Sequence, residues 1–163
     1  MSNVKLAIIG NGMVGHRFIE ELTDKAGSGH FDITVFCEEP RVAYDRVHLS
    51  SYFSHHTAEE LSLVKPGFYE KHTIAVLTGE RVITINRQEK VLHTNTGRTV
   101  HYDKLVIATG SYPWVPPIKG NDTQDCFVYR TIEDLNAIEA CARRSRKGVV
   151  IGGGLLGWKP PEH

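Results

Sequence analysis

The hydrophobic pattern changes period several times along the chain. Val4–Ile9 is a short apolar run that stops abruptly at Gly10, as a buried β-strand does. From Val14 the apolar positions fall at helical spacing. Val14, Phe18, Ile19 and Leu22 share one face, with Glu20, Glu21 and Asp24 outside it. Gly27 and Gly29 predict the helix end within residues 25–29. Phe31–Cys37 returns to strand character. Strand, glycine turn, helix and strand in this order make a βαβ unit, whose two strands run parallel.

Residues 38–56 are largely polar and irregular, with Pro40 near the start. Thr57 with Glu60 three residues on predicts the cap of a short helix. Residues 74–77 read as a brief strand. Residues 81–85 and 90–93 flank a polar tetrad and read as a hairpin; a turn at Asn95, Thr96 and Gly97 then leads to Thr99 and Val100, completing a three-stranded antiparallel meander. Residues 105–108 read as another buried strand and meet Gly110. Pro113, Pro116 and Pro117 mark a crossover between domains, where Trp114 is expected to pack. Thr131 and Asp134 form a capping-box pattern before a helix expected to reach Arg146. Arg143, Arg144, Arg146 and Lys147 suit the negative end of that helix, so they read as a solvated helix end rather than a nucleic-acid patch. Residues 148–151 predict one more strand, again followed by glycines. The fold expected is α/β, with a parallel sheet, helices and an antiparallel three-stranded meander.

Length and composition narrow this picture. The chain has 163 residues, enough for one domain or one domain with part of another. Nineteen basic residues balance nineteen acidic ones, so there is no overall basic field to draw nucleic acid or an anionic membrane. No apolar run approaches the ~20 residues that cross a bilayer, and the short run before Gly10 does not make a signal peptide. Cys37, Cys126 and Cys141 are odd in number and far apart, which encodes neither a disulfide framework nor a zinc ribbon. They read as reduced thiols of a cytoplasmic protein, with Cys37 a small buried hydrophobe at a strand end. His55 and His56 are adjacent and lack a third ligand at useful spacing, so they read as a solvated loop rather than a metal site.

The chemistry sits in the glycines. Gly10, Gly12 and Gly15 make a G-x-G-x-x-G directly after a strand and at the start of a helix, with Asn11, Met13 and Val14 between them. In that context Gly10 permits the tight turn, Gly12 lets a pyrophosphate approach the backbone, and Gly15 lets helix and sheet pack closely. Phosphates would sit on free amides at the positive helix end. An acid about twenty residues on, at the end of the second strand, is expected to bind a ribose hydroxyl; Glu38 and Glu39 stand there. A second cluster, Gly152, Gly154 and Gly157, fits the same template after residues 149–151. Its continuation fails, because Pro160 and Pro161 cannot extend a helix.

These motifs carry a resemblance. The first glycine cluster with its acidic pair, Tyr44-Asp45-Arg46 with Leu49-Ser50, the Ala108-Thr109-Gly110 strand end and the second glycine cluster resemble the two-dinucleotide-binding-domain flavoprotein reductases. Within them, residues 5–22, 31–64, 67–72 and 126–144 resemble the N-terminal part of bacterial NADH-dependent nitrite reductase large subunits. The resemblance runs from Met1 to Gly157 and stops at Trp158, where the family continues as a helix; a truncated chain is the expectation. It implies a Rossmann-like FAD/NAD(P)-binding fold, with residues 1–113 as the first part of an FAD-binding domain. Residues 114–163 would then be a crossover, a helix and the start of an NADH-binding domain.

The resemblance also implies site residues. Gly10, Gly12, Met13, Val14 and Gly15 match the loop that holds the FAD pyrophosphate, and Glu38 or Glu39 the adenosine-ribose acid. Arg46 matches a position beside pyrophosphate and flavin, and Val82 a backbone contact to adenine. Ala108, Thr109 and Gly110 match the stretch passing the FAD, and Gly152, Gly154 and Gly157 the NADH loop. The family moves hydride from NADH to the flavin and electrons onward to iron–sulfur and sirohaem centres elsewhere in a far longer chain, towards nitrite. No catalytic acid or base is nominated, because hydride transfer to a flavin requires none. Dinucleotides are the expected partners, with no nucleic acid and no membrane; self-association is expected through an exposed strand at residues 148–151. Two other readings remain open at this stage: a nucleotide-binding remnant without turnover, and a folded fragment that binds nothing. Tyr44 lies near the flavin or anchors its own loop.

Overall fold

The computed structural model describes residues 3–26, 29–54 and 57–152. The first apolar run is strand β1 (Val4–Ile9), followed by helix α1 (Met13–Ala26) and strand β2 (Phe31–Cys37). A four-residue helix α2 (Phe68–Lys71) precedes β3 (Ala75–Thr78). The meander is β4 (Val82–Asn86), β5 (Val91–Thr94) and β6 (Thr99–His101); β7 (Lys104–Ile107) and helix α3 (Ile132–Ala142) complete the elements.

β1 pairs in parallel with β2 on one side and with β7 on the other, and β2 pairs in parallel with β3. The order is therefore β3-β2-β1-β7, with β4-β5-β6 as a separate antiparallel sheet. From Leu6 onward β1 is covered on both faces, which is why residues 6–9 are continuously apolar rather than alternating. Leu6 and Ile8 pack with Ile19 of α1 and with Ile33, Val35, Tyr69 and Ile74. Ala7 and Ile9, on the opposite face, pack with Phe36, with Leu92 of the meander and with Tyr102 just after β6. The chain divides into two compact units, one comprising the described parts of Met1–Tyr44 and Ser62–Gly110, the other those of Asp45–Leu61 and Ser111–His163.

Several local expectations change. In α1 Ile19 is buried, and Phe18 and Leu22 pack against the same core as the spacing predicts, but Val14 is 73% exposed while Gly15, His16 and Thr23 are buried. The two polar positions are bonded: Thr23 Oγ1 donates back to the Ile19 carbonyl (3.0 Å), and His16 joins a polar chain with Tyr69. Thr57 and Glu60 do make reciprocal capping hydrogen bonds, but the segment closes as a turn and no helix follows. β7 is not fully buried: it is an edge strand paired only with β1, and Ile107 is 61% exposed. Trp114 is 80% exposed rather than packed; the proline-rich stretch around it has no regular structure.

In the second unit, a 3-10 turn (Leu49–Ser54) meets α3, where Tyr52 donates to Asn136 Oδ1 (2.9 Å). The capping box forms: Thr131 Oγ1 accepts from the Asp134 amide (3.2 Å), and Asp134 Oδ2 accepts from the Thr131 amide (2.8 Å). The helix ends at Ala142, four residues short of Arg146. The Arg144 and Ser145 amides bond three residues back, to Cys141 and Ala142, so the last turn tightens and stops. Arg143 and Arg144 pair instead with Glu139 and Asp125. Residues 148–152 form no strand, and Val149, Val150 and Ile151 are 88%, 74% and 70% exposed. A strand exists only with a partner, and among the described residues none pairs with this segment; the strand edge expected to drive self-association is not formed.

Candidate functional site: a glycine turn at the sheet switch point

The chain runs outward from β1 to β2 and β3, then returns to place β7 on the other side of β1. Parallel sheets bind ligands at the carboxyl ends of their strands where the order reverses in this way. Three segments meet there. Gly10 leaves β1 and donates its amide to the Phe36 carbonyl of β2 (2.9 Å); the Ala108 amide, just past β7, donates to the Ile9 carbonyl (2.8 Å). Glu38 and Glu39 follow β2 directly.

The three glycines differ in what requires them. Gly10 has φ +104°, and a Cβ there would lie 2.3 Å from the Ala108 carbonyl oxygen. Gly15 would put a Cβ 2.1 Å from the Gly10 carbonyl oxygen. Those two are demanded by the turn and by helix–sheet packing. Gly12 is different: a Cβ there would meet nothing within 4 Å, and its φ lies outside the left-handed region. The protein's own packing gives no reason for glycine at this position. Close approach of a ligand to the backbone does, so the cradle fits a pyrophosphate.

Gly12 lies at the start of a 14-residue helix whose first main-chain bond runs from the His16 amide to the Gly12 carbonyl (2.9 Å). The amides of Met13, Val14 and Gly15 therefore precede the first intrahelical bond and belong to the helix's positive end. No acidic residue occupies the first turn, and Met13 and Val14 are exposed beside it.

The acidic pair splits into two roles. Glu39 is half-buried, and its Oε2 accepts from Tyr44 Oη (2.7 Å), so the buried Tyr44 anchors this loop. Glu38 is exposed, with Arg81 Nη1 at 3.4 Å from its carboxylate. The link between β3 and β4 ties back to the same place: the Gly79 and Glu80 amides donate to the Glu39 and Cys37 carbonyls (2.9 Å each). The buried Glu80 carboxylate accepts from Thr94 Oγ1 (2.6 Å), Thr96 Oγ1 (2.5 Å) and Arg98 Nε (3.1 Å). Those donors hold it below the usual carboxylate range. Val82, two residues on, is half-buried at the start of β4. Cys37 is buried, its thiol donating to the Arg41 carbonyl.

Beneath the turn lies a polar group that periodicity did not expose. Asn11, His16 and Tyr69 are 4%, 3% and 7% exposed. Tyr69 Oη donates to Asn11 Oδ1 (2.9 Å) and stands 3.1 Å from His16 Nδ1. Burial drives the Tyr69 hydroxyl up to about 12. Burial also lowers the His16 pKa against the raising influence of Glu20, 3.8 Å away, and of the Leu63 carbonyl. Asn11 was visible only as the residue between two glycines, and Tyr69 sits on a helix too short to show a period.

Arg46 belongs to the second unit, where its Nη1 donates to the Arg130 carbonyl (3.2 Å). Thr109 and Gly110 continue from Ala108, Gly110 at φ +69°. Gly152 is exposed at φ +130°. Gly154 and Gly157, like His55 and His56, lie outside the described residues. Among the described residues no group of three or more His, Cys, Asp and Glu side chains could hold a metal, and no helix is long and apolar enough to cross a membrane.

Residues 4–159 match the family described as pyridine nucleotide-disulphide oxidoreductase. The chain belongs to this family. It is 81% identical over 157 residues to the nitrite reductase (NADH) large subunit of Escherichia coli (strain K12), covering 96% of this chain and 18% of that protein. It is 49% identical to the nitrite reductase [NAD(P)H] large subunit of Klebsiella oxytoca, over 96% of this chain and 16% of that one. The chain thus spans less than a fifth of either relative. Among solved structures, NADH:rubredoxin oxidoreductase from Clostridium acetobutylicum superimposes with a TM-score of 0.79 at 28% identity, covering 96% of this chain and 40% of that one. The oxidoreductase fold read from the sequence is the fold of this family, and its nitrite reductase homologues are those the motifs pointed to.

Proposed function

We propose that residues 1–113 are the first part of an FAD-binding domain and that residues 114–163 begin an NADH-binding domain. The observation that carries this reading is Gly12: a glycine that neither strain nor packing requires, at the positive end of a helix and at a sheet switch point. In this reading the amides of Gly12, Met13, Val14 and Gly15 hold the FAD pyrophosphate, with Gly10 forming the turn. Glu38 takes the adenosine ribose and Glu39 braces the loop through Tyr44. The Val82 backbone would contact adenine and Ala108, Thr109 and Gly110 would line the cofactor's path, while Arg46 is assigned to the pyrophosphate and flavin by resemblance alone. Gly152, Gly154 and Gly157 are assigned to the NADH loop by resemblance.

FAD, when bound, supplies the redox chemistry, accepting hydride from NADH and releasing electrons; the chain's residues supply binding and orientation. The similarity to nitrite reductase large subunits supports a place in a longer cytoplasmic protein that carries those electrons towards nitrite through iron–sulfur and sirohaem centres. Three scattered cysteines do not provide such a cluster, so the 163-residue chain alone should oxidise no NADH in response to nitrite. Equilibrium dialysis against FAD tests the binding reading. Saturable retention near one flavin per chain is expected, and no retention above a buffer control would overturn it.

A further inference from the structure

We infer that Tyr69 is a positioning residue for the phosphate-binding turn: it holds Asn11, and through Asn11 it fixes the direction of the Gly12 and Met13 amides. The inference rests on the functional reading of that turn. Glycine is the residue with the most backbone freedom to lose, and Asn11 stands between two of them, Gly10 and Gly12. Asn11 thus carries the one side chain by which the three-residue turn between β1 and α1 can be gripped, beside its main-chain bonds. It is 4% exposed, and its Oδ1 accepts from Tyr69 Oη at 2.9 Å.

The grip is itself braced. His16 Nδ1 lies 3.1 Å from the same hydroxyl, and the His16 ring meets Phe68 and Tyr69 edge-on at 5.3 and 5.8 Å between centroids. The His16 amide bonds the Gly12 carbonyl, so α1 holds the turn from below through the same residue. The tyrosine proton goes to Asn11, and the same oxygen lies within hydrogen-bond distance of His16 Nδ1. A core that merely needed filling would not bury three polar side chains here, because each costs stability unless bonded. The Asn11 Nδ2 and His16 Nε2 atoms are buried and make no hydrogen bond, His16 Nε2 having the Glu20 carboxylate at 3.8 Å.

The test uses the full 163-residue chain, ADP as the probe, and the variants Tyr69→Phe, Asn11→Ala and the double variant. Phenylalanine keeps the ring and removes only the hydroxyl. ADP affinity by calorimetry should fall roughly tenfold in Tyr69→Phe while circular dichroism shows the fold retained. In the double variant the second change should add little, because both act through one bond. A merely structural hydroxyl would lower Tm and leave ADP affinity, and the ADP-induced shifts of the Gly12 to Gly15 amides, unchanged. Equal ADP binding by the unmodified and Tyr69→Phe chains overturns this inference alone. Failure of ADP to bind the unmodified chain overturns the functional reading, and this inference with it. Should Tyr69→Phe fail to fold, nitrogen shifts of His16 in the unmodified chain decide: movement in step with ADP saturation is expected. A His16 ring that stays still while the turn amides saturate refutes the coupling.

Discussion

Replacing each turn glycine by alanine separates what the fold needs from what a ligand needs. At Gly10 the new Cβ meets the Ala108 carbonyl oxygen at 2.3 Å, so the edge strand must retreat by about 0.7 Å to reach even 3.0 Å, and φ +104° is strained for any side chain. Strain of this kind costs roughly 1–3 kcal/mol before the displacement is added. A loss of roughly 2–4 kcal/mol lowers Tm by roughly 5–15 °C at this chain length. Gly15→Ala meets the Gly10 carbonyl oxygen at 2.1 Å and should behave alike. Gly12→Ala meets nothing within 4 Å and suffers no positive φ. Restricting the unfolded chain should leave its stability unchanged or raise it by up to about 1 kcal/mol. Yet the methyl group fills the space a pyrophosphate would approach, and ADP affinity should fall more than tenfold. Thermal unfolding by circular dichroism and ADP calorimetry on the variants read both quantities. Gly12→Ala binding ADP like the unmodified chain would refute the reasoning, as would Gly12→Ala being as unstable as Gly10→Ala.

Three further outcomes follow from the same geometry. Glu38→Ala should weaken ADP binding by about 1–3 kcal/mol in a calorimetric titration, whereas Glu39→Ala should chiefly lower Tm by releasing Tyr44. Tyr69, pushed up to about 12 when folded, contributes stability that is complete below pH 10 and is lost as pH rises through about 12. Two pH units correspond to roughly 2–3 kcal/mol, and denaturant midpoints across that window should show this dependence in the unmodified chain and lose it in Tyr69→Phe. Glu80 titrates the other way: its depressed pKa means stability present above the ordinary carboxylate range and lost as pH falls through the folded value. Glu80→Gln should flatten the acid limb of the same curve.

How much was legible in the sequence follows from how much each element depends on local pattern. β1 and β2 were read to the residue because an apolar run buried on both faces ends sharply where a glycine or a polar pair begins. The glycine turn was legible for the same reason, and with it the acidic pair. In α1 the packing of Phe18, Ile19 and Leu22 was legible, but the burial of His16 and Thr23 was not, since they are polar by composition and are buried only because distant partners or their own helix satisfy them. Tyr69 escaped notice because α2 makes a single turn, and its contact with Asn11 spans 58 positions. The end of α3 was set by where the backbone bonding tightens, at Cys141 and Ala142, rather than by the run of arginines after it. Residues 148–152 carry strand composition without a strand, because pairing is a property of two segments and not of one.

The central claim is that a dinucleotide seats its phosphates on the first glycine turn. Amide chemical shifts of the isotopically labelled chain, followed through an FAD titration, test it residue by residue. The account predicts saturable shifts at Gly10 to Gly15, Glu38 and Ala108 to Gly110, with β4 perturbed at Val82. Shifts confined to other segments, or none at saturating FAD, would contradict it.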